Sequence, residues 1–120
     1  MTEEIQHMAD VAVKGIQEKK GRSINIVDLE GMPGAITKAF VVCQGNSPSQ
    51  VSAIMESVEE TMRKELKEKP IRVGGTNNNI WVVMDYTDLM VHIFLPDARE
   101  YYKLEELWQD APMTQVPDLD

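Results

Sequence analysis

The chain has 120 residues with 12 basic and 20 acidic side chains, a formal net charge of −8, 42% hydrophobic content and one cysteine. That length makes one domain with a modest core, and the charge repels a phosphate backbone, leaving little direct nucleic-acid binding to expect and favouring a basic partner such as a ribosomal or other nucleic-acid-binding protein. A single cysteine excludes an internal disulfide and a multi-cysteine zinc site, no apolar run approaches the roughly 20 residues that span a bilayer, and the acidic start "MTEEIQHMADVA" lacks the pattern of a signal peptide, so a cytoplasmic protein without membrane contact is expected.

Residues 3 to 20 place Ile5, Met8, Ala9, Ala12 and Ile16 along one helical face, with Thr2 as the cap and Lys19, Lys20 and Gly21 as the end. "SINIVDLE" reads as a strand that stops at Gly31, Pro33 and Gly34. "KAFVVCQG" is apolar from Ala39 to Cys43, the pattern of a strand buried on both faces near the middle of a sheet. In "GNSPSQ", Ser47 caps the next helix, Pro48 suits its first position and Gln50 completes a capping box. Val51, Ile54, Met55, Val58, Met62 and Leu66 then mark a buried face until Pro70. A short strand at "IRVGG" and an asparagine-rich turn follow.

"IWVVMDY" and "LMVHIFL" predict a hairpin about Thr87. Alternation sends Trp81, Val83 and Asp85 to one face of the first strand and Val82, Met84 and Tyr86 to the other; in the second strand Leu89, Val91 and Ile93 oppose Met90, His92 and Phe94. A final helix is expected from about Asp97 to Trp108, ahead of a disordered acidic tail at residues 111–120 that leaves 1–110 as the domain.

Candidate chemistry is thin. Cys43 lies in an apolar strand with no histidine near it in sequence, which favours a buried structural thiol over a nucleophile. His92, between Met90 and Phe94 on one strand face, reads better as a core or interface histidine than as a base, and two scattered histidines, His7 and His92, make no zinc site. Strand, "GNS" turn, helix and later carboxylates suggest a magnesium-dependent nucleotidyltransferase using Ser47, Asp85 and Asp88. The spacing argues against it: Asp85 and Asp88 straddle the turn instead of sharing a strand face, and no cation accompanies "GNS". Asp85 on an exposed face and Asp88 organising the turn is the better reading, with no cofactor and no metal. Trp81 shares its face with Asp85, the composition of an interface anchor. Tyr101, Tyr102 and Trp108 either extend that surface or seal the core.

Taken in order, "FVVCQGNSPSQVSAI", "WVVMDYTDLMVHIFLP" and "REYYKLEELW" resemble the ribosomal silencing factors, or Iojap-like proteins, from about residue 5 to 110. The resemblance implies a single small α/β domain, a mixed sheet of about five strands with flanking helices, on the nucleotidyltransferase-like fold without its catalytic acids. It also implies a non-enzymatic repressor of translation that binds the large ribosomal subunit through its fourteenth ribosomal protein and blocks subunit association, with homodimers among members. Under that expectation Trp81 is the central contact, with Val83, Asp85, Tyr86 and Asp88 around it and His92, Arg99, Tyr101 and Tyr102 beyond. Two departures stand out: "TKAF" puts Lys38 and Ala39 where the family has Asp-Tyr, which bears on any contact made through that pair, including contacts across a homodimer. Thr87 stands where the family turn has glycine, which predicts a turn that does not require positive φ.

Overall fold

The computed structural model describes residues 1–119. Helix α1 (Glu3–Glu18) begins where the Thr2 hydroxyl accepts the Ile5 amide and ends where Lys20, at φ +61°, lets the Gly21 amide donate back to the Ile16 carbonyl. Helix α2 (Pro48–Leu66) is capped as expected, the Ser47 hydroxyl accepting from the Gln50 amide at 3.1 Å. The Gln50 side chain does not close a capping box on the Ser47 amide. Its oxygen accepts from the Asn46 amide at 2.7 Å and its amide group donates to the Lys19 and Lys20 carbonyls, so one side chain ties the start of α2 to the end of α1. The two helices approach closely at Gly15, where an added Cβ would lie 2.9 Å from the Val58 Cα, and the Ser57 hydroxyl donates to the Gly15 carbonyl at 2.7 Å.

The strands are β1 (Arg22–Asp28), β2 (Ala39–Gln44), β3 (Arg72–Gly74), β4 (Trp81–Asp85), β5 (Leu89–Phe94) and β6 (Met113–Val116). They form one sheet in the order β3-β4-β5-β2-β1-β6, in which β2 and β5 run parallel and the other neighbours antiparallel. The α/β class and mixed sheet match the sequence reading, with six strands in place of about five. The extra strand is β6: where a disordered tail was expected, Met113 to Val116 pair with Val27 to Ile24 along the edge of the sheet. Its burial is slight, so the period-2 apolar signal that marks a half-buried strand is absent.

The sheet divides two cores. On the inner face α1 and α2 cover Ile24 and Ile26, Val41 and Cys43, Val82 and Met84, and Leu89, Val91 and Ile93. On the outer face Val27, Phe40, Val42 and Phe94 pack with Ala98, Ala111, Leu104 and Trp108, so Trp108 seals a core. The expected single C-terminal helix is broken into α3 (Pro96–Tyr102) and α4 (Leu104–Leu107) by Lys103 at φ +49°. The hairpin turn corrects another expectation. Thr87 does take a positive φ, +74°, as the centre of a three-residue turn closed by Asp88 N–H to the Tyr86 carbonyl at 2.9 Å. Asp85 accepts the Thr87 amide at 2.8 Å and the Thr37 hydroxyl donates to the Thr87 carbonyl at 2.9 Å, bonds that hold a conformation the side chain alone disfavours. Among the described residues no helix is long and apolar enough to cross a membrane.

Candidate partner-binding face

Strand alternation puts Trp81, Val83 and Asp85 on the outer face of β4, each half-buried, beside Phe94, His92 and Met90 in the register Trp81 to Phe94, Val83 to His92 and Asp85 to Met90. The helical segment α3–α4 packs over the outer-face residues Val27 of β1, Phe40 and Val42 of β2 and Phe94 of β5, and reaches β4 through the Tyr102 ring on Trp81. What remains partly exposed is the outer row of β4, Trp81, Val83 and Asp85, with Met90 of β5 beside it, between α3 and the hairpin turn.

Trp81 is the centre of an aromatic group on this strip. Its ring stacks on Phe94 at 4.9 Å and 21° and meets Tyr102 at 4.8 Å and 42°, while Tyr102 contacts Tyr101 edge-on at 5.0 Å. Tyr101 and Tyr102 are 79% and 50% exposed, so α3 presents both rings to solvent beside the indole. The indole N–H donates to His92 Nδ1 at 3.1 Å. His92 is only 4% exposed, edge-on to Phe40 at 4.6 Å, and burial holds its pKa down at about 4 against the pull of Glu105 the other way. The imidazole is therefore neutral at pH 7 and lies beneath the surface.

The acids at the rim exchange the roles expected of them. Asp85 organises the turn through the Thr87 amide, whereas Asp88 lies 3.8 Å from Lys38 in an exposed ion pair. The chain's Lys38 thus offsets part of the charge that Asp88 would show a basic partner, and Ala39 beside it is buried in β2. Tyr86 is 5% exposed and packs in the inner core, its hydroxyl without a hydrogen-bond partner among the described residues, so the structure places it behind the sheet and away from Trp81.

Arg99 is also not a free surface cation. Its guanidinium meets Glu105 side-on through Nε at 2.9 Å and Nη2 at 3.0 Å, and Nη1 donates to the Ser23 carbonyl at 2.7 Å and to Gln44 at 3.2 Å. Asn25 also donates to Glu105. Burial raises the Glu105 carboxyl, but the bonds from Arg99 and Asn25 and the Arg99 charge outweigh it and leave the group below the usual carboxylate range. The left-handed Lys103 turns α4 so that Glu105 reaches back to Arg99. A polar cleft beside this pair, lined by Asn25, Gln44 and Asp118 among others, finds the arginine donors already used. Sequence spacing gave no sign of this, because Glu105 and Asn25 are 80 residues apart.

The three residues of the nucleotidyltransferase reading do not come together. Since β2 and β5 are parallel with Ala39 opposite Leu89 and Gln44 opposite Phe94, Ser47 follows one end of the sheet while Asp85 and Asp88 lie at the other, about 15 Å away at 3.3 Å per strand residue. Among the described residues no three histidine, cysteine, aspartate or glutamate side chains are grouped to hold a metal. Cys43 is buried in β2, its thiol pushed up to about 12 by desolvation against a lowering charge from Arg99, which makes it inert as a nucleophile.

Comparison with known proteins gives a consistent set of relatives. The family model described as ribosomal silencing factor during starvation matches residues 2–120. The chain is 35% identical over 109 residues to the ribosomal silencing factor of Bacillus subtilis, covering 88% of each, and 33% identical over 111 residues to that of Halalkalibacterium halodurans, covering 92% of this chain and 93% of the relative. A crystal structure of a protein from Chromobacterium violaceum superposes with a TM-score of 0.82 at 30% identity, covering 88% of this chain and 86% of that one.

Proposed function

The chain belongs to the family of ribosomal silencing factors, and from that premise we propose that it is a non-enzymatic repressor that docks on the large ribosomal subunit and sterically blocks its joining to the small one. Its contact is the fourteenth large-subunit ribosomal protein, and it acts in the cytoplasm. The observation that carries the docking face is the strip of outer sheet left open beside α3, with half-buried Trp81 packed between Phe94 and Tyr102 at its centre. A partly exposed aromatic cluster on a rigid sheet with acids at its edge has the make-up of an interface centre and rim.

Trp81, Val83 and Tyr102 form the centre of this contact, with Tyr101, Asp85 and Asp88 at the rim. His92 and Arg99 serve the face from beneath and beside it, and Tyr86 has no direct part. The net charge of −8 favours a basic partner and mainly raises the association rate, with a dependence on salt. Co-sedimentation with purified large subunits tests the reading: the chain should pellet with large subunits, less so as salt rises, and should reduce joined ribosomes when small subunits are added. Absence of binding at low salt would overturn it, and heat from nucleotide with magnesium in calorimetry would revive the enzyme reading.

A further inference from the structure

We propose that His92 is a positioning residue that fixes the Trp81 indole in its outward, docking-ready orientation, an inference that rests on the docking face above. His92 sits where an apolar side chain would pack more cheaply: its neighbours on the same strand face are Met90 and Phe94, and it is 4% exposed. Its Nδ1 accepts the indole N–H at 3.1 Å, which fixes the tautomer with the proton on Nε2, and Nε2 finds no hydrogen-bond partner among the described residues. A buried N–H left unpaired works against folding. The bond to Trp81 is thus the polar work this side chain does, and it directs a residue that is itself only half-buried.

The geometry explains why the hold matters. Trp81 lies opposite Phe94, and His92 is one step along the same face of β5, so the imidazole meets the polar edge of the indole while the Phe94 ring supports its flat side at 4.9 Å. Without the acceptor, the indole N–H loses its partner, which favours orientations that reach water over the one stacked on Phe94 and Tyr102. A tryptophan free to do so must be ordered again on binding, which lowers affinity without removing any contact. Neutral imidazole is the form that accepts, and burial keeps His92 in that form at neutral pH.

The test uses the full chain labelled with nitrogen-15, reading the Trp81 indole resonance, assigned against Trp108→Phe, together with affinity for purified large subunits. His92→Phe keeps a ring and removes the acceptor, whereas His92→Asn places its side-chain oxygen where Nδ1 was. We expect His92→Phe to move the indole proton upfield, speed its exchange with water and weaken subunit binding by about three- to tenfold, the scale of re-ordering one side chain. His92→Asn should restore both. An unmoved indole signal, a moved signal with unchanged affinity, or an Asn variant that behaves like Phe overturns the proposal. If His92→Phe does not fold, the nitrogen-15-labelled wild type at neutral pH decides: a scalar coupling across the hydrogen bond between the indole nitrogen and His92 Nδ1 is present if the bond exists and absent if it does not. Full binding by Trp81→Ala would instead sink the docking reading, and the indole signal alone would then accept or reject the hold of His92 on Trp81.

Discussion

The two faces of the sheet are finished differently. On the inner face, Ile5, Ala9 and Ile16 of α1 and Val51, Ile54, Val58 and Met62 of α2 close over the strands, leaving these side chains almost wholly out of water. On the outer face the cover is two short helical segments of 7 and 4 residues, latched by the Arg99–Glu105 pair, and it touches β4 through Tyr102 on Trp81. The inner face is complete as a fold. The outer face stays partly open at Trp81, and that difference separates residues that hold the molecule together from residues available to a partner.

Substitutions should respect the division. Ile54→Ala, in the middle of the inner core, should cost about 3 kcal/mol of stability in urea unfolding, with the transition slope unchanged. A loss under about 1 kcal/mol would mean that the inner face is less tightly closed than its burial indicates.

Acid should find the outer face through His92. Its folded pKa of about 4 lies below the ordinary 6.5, so the unfolded chain takes up a proton that the folded chain refuses as pH falls. The stability is present above pH 6.5 and is lost toward pH 4, amounting to roughly 2 kcal/mol between pH 7 and pH 5. Glu105, also held low, adds to the loss in the same direction at lower pH. Unfolding measured at both pH values should show this difference in wild type and a much smaller one in His92→Asn; equal differences would remove His92 as the cause.

The turn that bounds the open strip offers a gain. Glycine accepts the +74° φ of Thr87 without the clash that threonine suffers, so Thr87→Gly should stabilise the chain by about 1 kcal/mol, less the entropy that glycine restores to the unfolded state. A drop in melting temperature would show that the threonine side chain contributes more than its backbone costs. The smallest effect belongs to Lys38. Replacing it with alanine frees the Asp88 carboxylate from its exposed partner, and large-subunit affinity should rise by less than about threefold, with a steeper salt dependence. Weaker binding would mean that Lys38 itself touches the partner.

Much of this contrast was legible beforehand. Alternation in β4 and β5 separated Trp81, Val83 and Asp85 from Val82 and Met84, because a half-buried strand writes its two faces with period 2. Thr2 and Ser47 announced their helices through local side-chain to backbone bonds. Features that depend on distant partners were not legible. Strand β6 lacks an apolar pattern since its exposed edge needs none, and the Arg99 cluster joins α3, α4, β1 and β2 through contacts that spacing cannot encode. Tyr86 entered the expected contact set only through the family resemblance; alternation had already placed it opposite Asp85, and the structure puts it in the inner core. Thr87 misled for another reason: the Thr37 hydroxyl donating to its carbonyl and its own amide donating to Asp85 impose a backbone shape that its residue type does not reveal.

Subunit joining followed by light scattering, with increasing amounts of wild type and of Trp81→Ala, tests the central claim most directly. The open outer face predicts that wild type suppresses joining and that Trp81→Ala, still folded, needs about 30-fold more protein for the same suppression, the equivalent of about 2 kcal/mol. Equal suppression by both proteins would contradict the claim and move the contact away from this face.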